Sequence, residues 1–133
     1  MIVIPTQASC GLSSWESPAT DYTDLKLTLD DALIERPSST FLARAQGNSM
    51  EGVGIFDQDL LVIDRHPIPE HMDVVVVTYN GTMMCKIIDL KQRLLLSAQE
   101  GIEAIYVSPD DAFWIEGTVI RSVRFFKPAS ILA

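Results

Sequence analysis

The sequence predicts a mainly β protein: a single compact domain, a flexible N-terminal arm and one short helix. Three observations support this fold class. The chain has 133 residues, which fits one domain. After residue 40, short apolar and β-branched runs alternate with turn residues, as in a protein built from strands. Two of these runs are separated by Asn80-Gly81, a dipeptide that favours a tight hairpin turn.

The first part of the chain is predicted to be a flexible arm followed by a short helix. From Met1 to about Pro18 the residues are small, polar or flanked by proline, without helical or strand period of useful length. A helix is expected over residues 28–34, where Thr28 can cap the first turn and Asp31 can complete a capping box. Pro37 is expected to end it.

The rest of the chain is predicted to form strands. Asn80-Gly81 readily takes the positive φ values of a type I′ turn, so the runs 73–79 and 82–88 are expected to be antiparallel neighbours. We divide the chain into an arm and linker, residues 1–27, and a β-rich domain, residues 28–133. The predicted strands are residues 41–45, 59–63, 73–79, 82–88, 94–97 and 114–126.

The charge and hydropathy of the chain exclude several classes of protein. A net charge of −8 works against direct phosphate binding, so any action on DNA is expected to go through a partner. The apolar runs are far too short to span a bilayer, and the opening residues lack the basic region of a secretory signal. A cytoplasmic location without membrane attachment is the expectation.

The two cysteines, Cys10 and Cys85, are too few for a disulfide framework. Together with His66 and His71 they lack the ligand spacing of structural zinc sites. We therefore expect free thiols and no metal.

A candidate nucleophile lies in Gly47-Asn48-Ser49-Met50, directly after the first strong strand. A glycine shortly before a serine at a strand end is typical of a side chain that projects from a turn. Most serines in polar turns are structural, however, and this alternative stays open on the pattern alone. Glu51 takes the place of the second glycine of a G-x-S-x-G elbow, which disfavours an esterase-type hydrolase.

A serine nucleophile needs a base, and the candidates are His66, His71 and the few lysines. Lys86 stands out because apolar residues flank it on both sides between Met83 and Ile88. Desolvation lowers the pKa of a lysine, and a neutral amine can accept a proton from serine. The alternative is that Lys86 extends from a strand edge to water and has no catalytic role.

Five segments of the chain carry a likeness to a known family: residues 45–50, 57–64, 71–75, Gly81 with Lys86, and 116–120. Together they resemble the catalytic domain of the self-cleaving Ser/Lys peptidases that include LexA, phage repressors and UmuD. In that family the serine of a G-x-S-M turn is the nucleophile and a lysine on a later strand is the general base. The family usually has Asp-Gly-Asp where this chain has Asp57-Gln58-Asp59.

The resemblance implies a role for each matching residue. Ser49 is expected to be the nucleophile, Lys86 the general base, and the backbone N–H groups of Asn48 and Ser49 the oxyanion donors. Cys10-Gly11 matches the small residue and glycine at the bond that the family cuts. No cofactor is implied.

The resemblance is greatest to the UmuD type, because LexA and phage repressors carry a helix-turn-helix domain for which residues 1–46 leave no room. It implies that a RecA nucleoprotein filament stimulates cleavage and that the shortened dimer joins a Y-family DNA polymerase in the SOS response. The alternatives are a LexA-like or phage-type repressor fragment and a leader-peptidase-like protease acting in trans. A basic recognition helix or a membrane anchor would favour these, and we find neither in the sequence.

The C-terminal run from Trp114 to Phe126 is apolar and long for an exposed edge strand. Unpaired strands of this kind favour association. We therefore expect a homodimer.

Overall fold

The computed structural model describes residues 1–5 and 28–128, and within these ranges it confirms the mainly β prediction. These ranges contain one helix, α1 (Leu29–Leu33), together with two short 3-10 turns, Pro37–Ser39 and Glu51–Val53. The strands are β1 (Ile2–Pro5), β2 (Thr40–Gln46), β3 (Leu60–Asp64), β4 (Val74–Tyr79), β5 (Thr82–Asp89), β6 (Leu94–Leu96), β7 (Ile105–Tyr106) and β8 (Phe113–Val123).

The strands form one antiparallel sheet in the order β1-β2-β3-β8-β4-β5-β6-β7. Ile2 in β1 also pairs with Met84 in β5, so the first six strands of this order close into a barrel. β6 and β7 continue the sheet beyond β5. Closure leaves no free edge between β1 and β5, and the barrel interior holds the larger core cluster. Its buried members are Met1, Val3, Ala43, Ala45, Met50, Ile55, Leu61, Ile63, Val76 and Cys85.

The two local predictions about turns and caps are confirmed. Asn80 and Gly81 have φ values of 47° and 86°, and the strands on either side pair from Tyr79↔Thr82 onward. At the start of α1, the Asp31 N–H donates to Thr28 Oγ1 at 3.1 Å. The Thr28 N–H donates to the Asp31 carboxylate at 3.3 Å, which completes the capping box.

β1 is a strand that the sequence did not predict. Its four residues pair with β2, and Val3 is only 3% exposed inside the barrel. The segment is too short to show a period, and Pro5 ends it. The remainder of the predicted arm, with Cys10-Gly11, lies outside the described residues, so the division at residues 27 and 28 stays a prediction.

The prediction that the last long strand forms an exposed edge is wrong. β8 lies between β3 and β4 and is hydrogen-bonded to both. A strand in the centre of a sheet offers no free edge for association. Aromatic side chains nevertheless remain on the surface near it: Trp114 and Phe125 are exposed, and Phe126 is 98% exposed.

Candidate active site

The Ser49 turn, residues 47–53, follows β2 directly and is held by backbone contacts. Gly47 has φ 104°, a conformation that favours glycine, and its N–H donates to Asp57 Oδ1 at 2.9 Å. Met50 is completely buried in the barrel core, and its carbonyl oxygen accepts from the Val53 N–H at 3.1 Å. The turn is therefore fixed at both ends around Ser49.

Ser49 itself has an environment that is unusual for a structural serine. The residue is 8% exposed, and its Oγ is buried without a hydrogen-bond partner among residues 1–5 and 28–128. A buried hydroxyl that forms no hydrogen bond costs about 1 to 3 kcal/mol, so such groups are uncommon without a functional reason. The hydroxyl is free to react with a group that enters the site.

In the turn at residues 57–59, Gln58 stands where the family usually has glycine, and its backbone keeps a conformation that favours glycine. Gln58 has φ 72°, in the left-handed region that favours glycine. Its N–H donates to the Ala45 carbonyl oxygen at 2.8 Å, and the Ala45 N–H donates to the Asp59 carbonyl oxygen at 2.8 Å. The turn thereby continues the pairing of β2 and presents Asp57 to the Ser49 loop.

Lys86 lies in the middle of β5 and is only 6% exposed. Side chains alternate between the faces of a strand, and Cys85 packs inside the barrel, so Lys86 lies on the opposite face. Its Nζ donates to Ser97 Oγ at 2.7 Å. A lysine that extends from a strand edge to water, the non-catalytic alternative, would be much more exposed.

Burial lowers the pKa of the Lys86 ammonium, because the charged form loses its hydration. A charge on the neighbouring Cys85 thiolate would oppose this shift. However, burial raises the pKa of the Cys85 thiol to about 12, so the thiol is neutral near physiological pH. The lowered pKa of Lys86 is therefore not counteracted under those conditions.

The position of Lys86 is set by a change of strand partner along one edge of β5. The edge pairs with β1 as far as Cys85, whose N–H donates to the Met1 carbonyl oxygen at 2.9 Å. From Ile87 onward it pairs with β6, beginning at Ile87↔Leu96. One further step in this register places Lys86 opposite Ser97.

The Ser97-Ala98 segment brings the two predicted catalytic residues to one place. Ser97 Oγ accepts the hydrogen bond from Lys86 Nζ. The next residue, Ala98, donates its N–H to the Ser49 carbonyl oxygen at 2.7 Å. The Ala98 carbonyl oxygen in turn accepts from the Gly52 N–H at 2.8 Å. The predicted nucleophile, Ser49, and the predicted base, Lys86, thus contact consecutive residues.

Sequence reasoning missed Ser97 and Asp57. Ser97 ends a run of leucines and matches no motif, and only the β5–β6 register brings it to Lys86. Asp57 had a detectable signal, since it belongs to the quoted motif, but its bond to the Gly47 N–H depends on the folded turn. Neither contact follows from spacing along the chain.

The alternative base His71 lies away from this place. Its Nδ1 accepts the Leu90 N–H at 3.1 Å, beyond the end of β5. Leu90 is four residues from Lys86 along the chain, about 13 Å in an extended strand.

The predicted cleavage site, Cys10-Gly11, lies outside the described residues. Among the described residues, no group of three or more His, Cys, Asp or Glu side chains could hold a metal.

Comparison with known proteins identifies the family. Residues 3–120 match the family described as Peptidase S24-like. Protein ImpA of Salmonella typhimurium is 39% identical over 98 residues, which span 74% of this chain but only 63% of ImpA. Protein SamA of Salmonella typhimurium strain LT2 is 38% identical over 113 residues, 84% of this chain and 81% of SamA. Protein MucA of Escherichia coli is 31% identical over 113 residues, 84% of this chain and 77% of MucA.

The described residues contain no helix long and apolar enough to cross a membrane. The family match covers nearly the whole chain, including β1, the Ser49 turn and β5. The resemblance first seen in the motifs around Ser49 and Lys86 is confirmed. The chain belongs to the Peptidase S24-like family.

Proposed function

We propose that the chain is a UmuD-type SOS mutagenesis factor that cuts its own Cys10-Gly11 bond, with Ser49 as nucleophile and Lys86 as general base. One observation carries the proposal. Ser49, whose buried hydroxyl has no hydrogen-bond partner among the described residues, contacts Ala98 through its backbone carbonyl oxygen, and Lys86, a buried lysine with a lowered pKa, contacts the adjacent Ser97. Such a pair is what serine peptidases with a lysine base require.

In the proposed reaction, Ser49 Oγ attacks the carbonyl carbon of Cys10 while the neutral Lys86 amine takes the hydroxyl proton. The N–H groups of Asn48 and Ser49 stabilise the oxyanion of the tetrahedral intermediate. Lys86 then gives its proton to the Gly11 nitrogen as that bond breaks. Water, deprotonated by Lys86, attacks the ester on Ser49; Lys86 returns the proton to Ser49 Oγ as the ester bond breaks, and residues 1–10 are released.

The contacts of Lys86 support a reaction that is slow by itself and is accelerated by a stimulus. Its Nζ bonds to Ser97, whereas Ser49 Oγ has no partner among the described residues. The amine must therefore come within hydrogen-bonding reach of Ser49 before it can take the proton. In the proposal a RecA nucleoprotein filament favours this arrangement and the docking of the arm.

The proposal also includes a cytoplasmic location, a homodimer and a Y-family DNA polymerase as the partner of the shortened form. The net charge of −8 favours action on DNA through such a partner rather than by direct binding. Exposed aromatic side chains, among them Trp114 and Phe126, support association, because large apolar side chains are enriched in interfaces. Light scattering that showed a monomer at micromolar concentration would contradict the dimer.

The proposed function is tested by incubating the purified protein with a RecA filament on single-stranded DNA and following its mass. Cleavage is expected in the wild type and is expected to be absent in Ser49→Ala and Lys86→Ala, because neither group works alone. His71→Ala, the matched control for the other candidate base, is expected to cleave normally. Wild-type cleavage by Lys86→Ala would overturn the assignment of the base.

A further inference from the structure

Ser97 and Ala98 form a short bridge between the elements that carry the nucleophile and the base. The bridge begins directly after β6 and meets the Ser49 turn through two backbone hydrogen bonds. It also approaches Gly52 closely: a Cβ on Gly52 would lie 2.3 Å from the Ala98 carbonyl oxygen. No larger residue fits there without movement of the backbone, so the distance between turn and bridge is closely defined.

The side chain of Ser97 is the part of the bridge that contacts Lys86. The hydroxyl oxygen accepts a hydrogen bond from Lys86 Nζ at 2.7 Å. A neutral amine has two N–H donors and one lone pair. When one donor is held by Ser97, the rotation of the amine is restricted and the lone pair can be directed at another group. The element that needs a base is the Ser49 turn, which Ala98, the residue after Ser97, contacts.

We propose that Ser97 is a positioning residue for the Ser49/Lys86 dyad, with its hydroxyl oxygen orienting the Lys86 amine for proton transfer. The inference rests on the proposed roles of Ser49 and Lys86. Ser97 reacts with nothing itself and acts through Lys86 alone. Its backbone neighbour Ala98 holds Ser49, so the two consecutive residues set the positions of both reacting groups.

The same contact has a second consequence, because the Ser97 oxygen also stabilises the protonated form of Lys86. Replacing Ser97 by alanine should therefore lower the pH at which cleavage reaches half of its maximal rate, by about one pH unit for one lost bond to a charged group. It should also lower the maximal rate roughly 10- to 100-fold, because the amine is less well oriented. If Ser97 had only a structural role, loss of its hydroxyl would change neither the orientation of the Lys86 amine nor the pH of half-maximal cleavage.

The test measures self-cleavage without RecA from neutral to strongly alkaline pH in Ser97→Ala and in a matched control, Ser39→Ala. Ser39 is also half-buried, and its hydroxyl donates to Asp64 Oδ1 at 2.6 Å. Ser39 and Asp64 are both distant from Lys86 along the chain. Only Ser97→Ala is expected to shift the midpoint. Ser97→Thr keeps the hydroxyl and is expected to have the wild-type pH midpoint. If Ser97→Ala does not fold, Ser97→Cys replaces the oxygen by a weak acceptor and should shift the midpoint in the same direction.

A second readout separates this inference from the proposed function. In the Ser49→Ala background, which is not expected to cleave, NMR of the Lys86 side chain follows its titration directly. Adding Ser97→Ala is expected to lower the midpoint, and adding Ser39→Ala is expected to leave it unchanged. An unchanged Lys86 titration after loss of the Ser97 hydroxyl overturns the positioning role, whatever the cleavage assays report. Normal cleavage by Ser49→Ala would instead overturn the nucleophile.

Discussion

Replacing Lys86 by methionine should abolish self-cleavage and yet leave the fold as stable as before, or more stable. Methionine keeps a long unbranched side chain in the same space but has no charge. Because Lys86 is buried and its pKa is lowered, burial of its charged ammonium lowers the free energy of unfolding near neutral pH. Each pKa unit of such a shift corresponds to about 1.4 kcal/mol, which the methionine variant regains.

One loss opposes this gain. The Ser97 hydroxyl loses its bond from Lys86 Nζ, but Ser97 is only half-buried, so water can replace part of the contact. We take this loss as about 1 kcal/mol. For one pKa unit the two contributions leave a net gain of about 0.4 kcal/mol, so the free energy of unfolding at neutral pH is expected to be unchanged or slightly raised. In a domain of this size that gain corresponds to a rise in Tm of about 2 °C.

The difference should also depend on pH in a defined direction. Between the lowered pKa of folded Lys86 and its ordinary value, the unfolded chain holds more protons, so the lysine protein becomes more stable as the pH rises. The advantage of methionine is complete below the folded pKa and disappears as the pH rises through that interval. Urea denaturation at several pH values measures this change.

Both proteins in this comparison should carry Ser49→Ala, so that cleavage does not alter the sample. The matched control is Lys91→Met, which changes an exposed lysine in the turn after β5 and should have little effect. If Lys86→Met lowered the free energy of unfolding by about 1.5 to 3 kcal/mol, Lys86 would be a structural residue that stabilises the fold through Ser97. The reasoning for a catalytic lysine would then be refuted.

Three further outcomes are expected. Gln58→Gly should raise the free energy of unfolding by about 0.5 kcal/mol in urea, because φ 72° strains every residue except glycine. Val3→Ala should lower it by about 1 to 3 kcal/mol, although Val3 precedes the predicted cut, whereas Ile2→Ala, at a position 52% exposed, should change it by less than about 0.5 kcal/mol. Gly52→Ala should slow self-cleavage in a time course, because the added Cβ pushes Ala98 away from the Ser49 turn. Unchanged values in Gln58→Gly, Val3→Ala or Gly52→Ala would contradict the corresponding expectation, as would a loss of more than about 1 kcal/mol in Ile2→Ala.

Local features of the fold could be predicted because their causes lie within a few residues. The hairpin at Asn80-Gly81 depends on two backbone conformations, and the cap of α1 depends on Thr28 and Asp31. Strand neighbours far apart in the chain could not be predicted in the same way. The barrel closes through the pairing of β1 with β5, and β8 lies between β3 and β4 rather than at an edge.

The same distinction between local and long-range causes applies to the residues of the candidate site. Ser49 and Lys86 could be proposed from the turn motif and from the apolar flanks of the lysine. Ser97 could not, because its contact with Lys86 exists only where the edge of β5 changes partner from β1 to β6. A serine after three leucines has no local property that indicates this role.

The most direct test of the account is the N-terminal sequence of the large fragment formed in the presence of a RecA filament. Cleavage of Cys10-Gly11 by Ser49 and Lys86 predicts a single new terminus at Gly11 in the wild type and none in Ser49→Ala. A terminus elsewhere, for instance at Ala19, would remove Cys10-Gly11 as the cleavage site. The Gly11 terminus appearing at the normal rate in Ser49→Ala would contradict the central claim.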